Sequence, residues 1–132
     1  MPDVVLAAGV LAAQDVSFLL VGSAALWLRG EPISVGDVDA VIEPGEPNLL
    51  RLHAALTELA IWPGAVTPVH RLHEIAITSA ITAYGKVDCL LERGQRDWDK
   101  LRRGASYIAI ADVQVLVASA EHALALRWRF KK

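Results

Sequence analysis

Cysteine is nearly absent from this chain. Cys89 is the only one among 132 residues, which excludes an internal disulfide and argues against a zinc cluster. An excess of one charge is missing too. With 13 Lys and Arg against 15 Asp and Glu, the formal net charge of -2 gives no global pull toward nucleic acid. The apolar N-terminus, PDVVLAAGVLAAQDV, lacks the basic residues of a secretion signal and is too short to span a bilayer. The chain therefore reads as a soluble cytoplasmic protein with no membrane partner. Internal repeats, low-complexity tracts and obvious linkers are lacking as well, so residues 1–132 read as one domain. Charged residues are sparse, at 21%, beside a hydrophobic fraction of 54%. That surplus of apolar side chains goes either to a large core or to a homodimer or partner-protein interface.

What is present is an orderly succession of patterns. Residues 3–14 are apolar nearly all round, which predicts a well-buried helix. Residues 17–21 read as a buried strand ended by Gly22, and 23–28 as a short helix closed by Gly30 and Pro32. A strand over 37–43 is broken by Pro44, Gly45 and Pro47. Leu49, Leu52, Leu56 and Leu59 recur at helical spacing and predict an amphipathic helix over 48–60. Residues 62–73, with Pro63, Gly64 and Pro68, give no clear pattern. Strand residues resume over 75–84, turn at Gly85 and continue over 86–92. A helix near 97–103, strands over 107–110 and 113–117, and a helix from Ala120 capped by Ser119 complete the order. The result is a mixed α/β or α+β fold, one mixed central sheet flanked by helices.

Three aspartates carry the chemistry. Asp37 and Asp39 stand in GDVDAVIE, and Asp88 stands in GKVDCLLE. Side chains alternate along a strand, so Asp37, Asp39 and Val41 share one face, as do Lys86, Asp88 and Leu90. If the two strands are neighbours, the three acids converge at one end of the sheet. Carboxylates that close resist joint ionisation unless a cation joins them. Hard oxygen donors suit magnesium, or manganese in its place, together with substrate phosphates. Upstream, Val21-Gly22-Ser23-Ala24-Ala25 is a small-residue turn at a helix start, a natural seat for phosphate. Gly22 would let the backbone approach a phosphate, and the Ser23 hydroxyl and amide would donate to it.

In this pattern, LLVGSAALWLRG, SVGDVDAVIE and YGKVDCLLE, the chain resembles the nucleotidyltransferase superfamily with the DNA polymerase beta-like fold. It looks most like the small bacterial abortive-infection and toxin–antitoxin group, and the resemblance covers about residues 18–92. The resemblance implies transfer of a nucleoside monophosphate from a nucleoside triphosphate to a hydroxyl of an RNA, a protein or a small molecule. Asp37, Asp39 and Asp88 would be both metal-binding and catalytic. The chain departs from the pattern by lacking the longer helical C-terminal region of larger relatives, and by carrying Arg127 where a lysine is common. A second reading is a non-catalytic, antitoxin-like binding partner with the same fold. The letters of Asp37 to Val41 also fit the nucleophile motif of haloacid dehalogenase phosphatases, but those aspartates end an apolar strand, whereas these begin one.

Other residues have plainer readings beside functional ones. Arg29 could reach a triphosphate or simply end its helix. Lys86 could touch phosphate or pair with the acids on its own face. Cys89 reads as a small buried hydrophobe rather than a nucleophile. His53, His70, His73 and His122 show no ligand spacing. Trp27, Trp62, Trp98 and Trp128 read as core or interface anchors. The basic tail, Arg127, Arg129, Lys131 and Lys132, suits a helix C-terminus or an acidic partner.

Overall fold

The computed structural model describes residues 2–91 and 94–130, with backbone alone for residues 126–130. The expected strand end at Glu92 and the basic tail side chains lie outside what is described, as does the side chain of Trp128. The helices are α1 (Val4–Ala13), α2 (Gly22–Leu28), α3 (Glu46–Leu59), α4 (Gln95–Gly104) and α5 (Ala120–Phe130). The strands are β1 (Phe18–Val21), β2 (Val38–Ile42), β3 (Ile77–Thr82), β4 (Gly85–Leu90), β5 (Ser106–Ile110) and β6 (Val113–Val117). The unpatterned stretch 62–73 holds two single 3-10 turns, Pro63–Ala65 and Val69–Arg71.

The strands form one mixed sheet in the order β3-β4-β2-β1-β6-β5. β1 runs antiparallel to β2 and parallel to β6, while β2 runs parallel to β4. In β1, the consecutive residues Leu19 and Leu20 are both fully buried. Successive strand side chains point to opposite faces, so both faces of the sheet centre are covered. α1 packs with α3, and α2 with α5, which supplies the two layers.

Local chemistry explains the element ends. Asp3 caps α1, its carboxylate accepting from the Leu6 amide at 3.0 Å. Val4, Ala7, Ala8 and Leu11 make its buried stripe, whereas Leu6 is half exposed. The helix is thus buried on one side only, although its sequence is apolar all round. α3 buries the expected leucines, and Pro47 sits in its first turn, where a missing amide hydrogen costs nothing. Ser119 caps α5 as expected, accepting from the His122 amide at 3.1 Å.

One buried residue ties the sheet to α3. The Asn48 side chain is 3% exposed. Its Oδ1 accepts from the Ser17 amide at 2.7 Å, and its Nδ2 donates to the Ser17 and Glu43 carbonyls, both at 2.9 Å. Ser17 enters β1 and Glu43 leaves β2, so one amide closes the end of the antiparallel pair. Asn48→Ala would leave buried backbone groups unpaired. It should cost about 2 kcal/mol in a urea titration, with an unchanged slope.

Candidate active site

The acids are assembled by strand register. Val21 pairs with Asp39, Asp39 with Asp88, and Asp88 with Ser79. Partners in register point to the same face, so Asp39, Asp88 and Ser79 form one row across β2, β4 and β3. β2 and β4 are neighbours, and Asp39 stands beside Asp88 at the end of the sheet where β1 gives way to α2. Asp37 precedes β2 and is half-buried in the bend that leads into it.

Gly22 makes room for this row. Its φ of +63° lies in the left-handed region, and a Cβ built there would meet Asp39 Oδ2 at 2.7 Å. Conformation and space both demand glycine at the bend. Ser23 is largely buried, and its Oγ accepts from the Gly36 amide at 3.3 Å, which holds the loop leading to Asp37.

Electrostatics concentrates on Asp39, whose pKa is raised to about 7. Burial is the main cause. The neighbouring Asp88 and Asp37 carboxylates and a side-chain hydrogen bond to Asp88 push the same way, against a smaller pull from Lys86. Asp88 is held from the other side. The Ser79 hydroxyl donates to its Oδ1 at 2.5 Å, and Lys86 Nζ lies 3.6 Å from the same oxygen. Lys86 therefore pairs with the acids, while its side chain remains 46% exposed.

The arrangement is a carboxylate pair with Asp37 in electrostatic reach. Among the described residues, no group of three or more His, Cys, Asp or Glu side chains stands ready to hold a metal ion. The donor chemistry nevertheless fits a magnesium-type ion, which commonly uses one or two carboxylates plus phosphates and water. Two oxygen-donor side chains, one of them with its pKa raised to about 7 by burial first and by its acidic neighbours second, are an environment that a cation would relieve.

Of the two readings of Arg29, a reach toward triphosphate or a helix end, the structure shows it at the C-cap of α2. Its Nε donates to the Ala118 carbonyl at 2.9 Å, and its Nη2 donates to the Val117 carbonyl and the Ser106 hydroxyl, both at 2.8 Å. It fastens the end of α2 to β5 and to the end of β6 through Nε and Nη2 of its guanidinium. Ser79 was not anticipated. The signal was nevertheless present, because a two-residue turn between Thr82 and Gly85 sets the register that places Ser79 opposite Asp88.

Cys89 is fully buried beside Asp88, and its thiol is pushed up to about 12 by burial first and the Asp88 and Asp39 charges second. Ellman's reagent should leave it untouched in the folded protein at pH 8 and label it fully in denaturant. Of the tryptophans, Trp98 is buried and Trp27 packs on the core, but Trp62 is 62% exposed and anchors nothing in the core.

No protein-family model matches the chain, and no curated protein matches it. The solved structures similar to it include two proteins named for nucleotidyltransferases. One is a candidate nucleotidyltransferase from Thermotoga maritima, with a TM-score of 0.64 and 16% identity over 94% of this chain and 80% of that one. The other is an antigenic nucleotidyltransferase-like protein from Paracoccidioides brasiliensis, with a TM-score of 0.53 and 17% identity. It is matched over 92% of this chain, which spans only 61% of its length. At such identities the likeness is one of architecture: the chain has a nucleotidyltransferase-like fold.

Proposed function

We propose that the protein is a metal-dependent nucleotidyltransferase that moves a nucleoside monophosphate from a nucleoside triphosphate to a hydroxyl acceptor, the new bond to the α-phosphorus replacing the one to the departing pyrophosphate. The observation that carries this reading is the Asp39–Asp88 pair facing the side-chain-free bend at Gly22. The likeness in fold to proteins named as nucleotidyltransferases supports it.

In this reading Asp39 and Asp88 hold magnesium, or manganese, with Asp37 as the neighbouring third acid. The bound ion supplies charge neutralisation for the triphosphate and for the oxygens that gain charge during transfer. The chain's own groups do the rest. Ser79 fixes one oxygen of Asp88, so the carboxylate presents a constant orientation to an incoming hydroxyl, whose proton it accepts directly or through water. Gly22 lets phosphate approach the backbone, and Ser23 keeps the 36–37 loop close to it. The exposed part of Lys86 adds a positive charge at the rim. Membership of the small abortive-infection or toxin–antitoxin group rests on motif spacing.

Calorimetric titration of magnesium with each triphosphate tests the pocket without knowledge of the acceptor. Wild type should bind at least one magnesium–triphosphate pair, and Asp39→Asn with Asp88→Asn should abolish it. Labelled triphosphate should then mark an RNA, a protein or a small molecule in a wild-type-dependent way. Absence of any triphosphate binding by wild type sinks the reading and leaves a non-catalytic, antitoxin-like partner of the same fold.

A further inference from the structure

The two edges of the sheet are treated differently. At the β3 edge the chain covers itself: the Ile61 amide donates to the Ile81 carbonyl at 2.9 Å, Ala60 bridges Thr82, and Thr67 bonds Thr78 at 2.8 Å. At the other edge β5 pairs only inward, with β6. Among the described residues no backbone hydrogen bond reaches β5 from outside the sheet. Its sequence, Ser-Tyr-Ile-Ala-Ile, carries no charge and no proline, the usual guards of an open edge. Tyr107 is 58% exposed, and Ser106 and Ala109 are exposed as well. An open apolar edge is a template for a further strand.

The charges at its ends identify the occupant. Arg103 precedes the strand and Asp112 follows it, both exposed and neither in an ion pair with a described residue. Two antiparallel copies paired about Ile108 would bring the turn after β5 of each, which carries Asp112, toward the end of α4 of the other, which carries Arg103. Opposite charges then meet at both ends, and Tyr107 faces Ala109 twice. A parallel approach would bring like charges together instead. We propose that β5 pairs antiparallel with β5 of a second copy, joining the two sheets into one across a twofold axis. This inference does not depend on the active-site reading.

Sedimentation equilibrium from 1 to 200 µM, concentrations on the order of those at which modest interfaces assemble, tests it. Wild type should shift with concentration from the 14.3 kDa monomer to a species of twice that mass. Tyr107→Lys with Ala109→Lys should weaken association about 100-fold while the circular dichroism spectrum and melting point stay folded. Asp112→Lys alone should weaken it about tenfold, and Arg103→Asp added to Asp112→Lys should restore it. A wild type that stays monomeric throughout, whether the edge takes another partner or none, overturns the proposal. So does a dimer that these substitutions leave unchanged.

Discussion

Asp39→Asn should melt on the order of 10 °C above wild type at pH 8, with divalent ions chelated, and at nearly the same temperature as wild type near pH 4. The reason is the direction of the shift. The folded protein holds the Asp39 proton up to about pH 7, against an ordinary value of 3.8. Below 3.8 both states are protonated, and the group adds no pH dependence. Between these values the unfolded chain ionises while the folded one does not, so stability falls as pH rises. Above about 7 the penalty is complete and stays constant. Each unit of pKa is worth about 1.4 kcal/mol, and with partial exposure the total is on the order of 3 kcal/mol. Asparagine keeps the shape and a hydrogen on the Asp88 side but cannot ionise. The difference between the two melting curves across pH isolates this residue from other titrations. If the variant melts lower at pH 8, Asp39 is not the strained member of the pair.

Gly22→Val is the opposite case, a large loss. A β-branched residue at φ +63° pays about 1–2 kcal/mol for the left-handed backbone alone. Its Cβ would also press on Asp39 Oδ2 at 2.7 Å, inside a bend that is otherwise buried. The sum should be about 3–5 kcal/mol in denaturant unfolding, well into the range of exceptional single substitutions. Gly22→Ala, with the same φ but a smaller side chain, should lose about half as much. Combining Gly22→Ala with Asp39→Gly removes the oxygen that the new methyl meets. The loss should then fall below the sum of the single effects, a coupling visible in a double-mutant cycle. Strict additivity would mean that the bend and the acid do not touch.

The route from sequence to site was legible where the signal is local. Alternation in GDVDAVIE and GKVDCLLE put each aspartate on its face, and leucine spacing placed α3. The strand ends came out within a residue or two, because glycine and proline mark them. Strand order was another matter. Nothing in β6 announces that it lies between β1 and β5, since that pairing depends on a crossover and not on composition. Asn48 read as an ordinary helix-start residue, and its three hydrogen bonds exist only once β1 and β2 are side by side. The acceptors of Arg29, at Ser106, Val117 and Ala118, are hidden from the sequence for the same reason: they are remote along the chain and close only in the fold. Asp88 was expected to meet both Asp37 and Asp39. Register brings it to Asp39, while Asp37 stands before the strand begins.

The parallel pairing of β2 with β4 has a kinetic corollary. β3 and β4 can zip together around a two-residue turn, a microsecond event that needs no distant partner. β2 and β4 are separated by α3 and β3, and parallel pairing across such a span is slow because loop closure precedes any reward. Asp39 and Asp88 thus come together only when these pieces dock, and their mutual repulsion falls on that event. Refolding should therefore quicken in mild acid, where one fewer negative charge opposes closure.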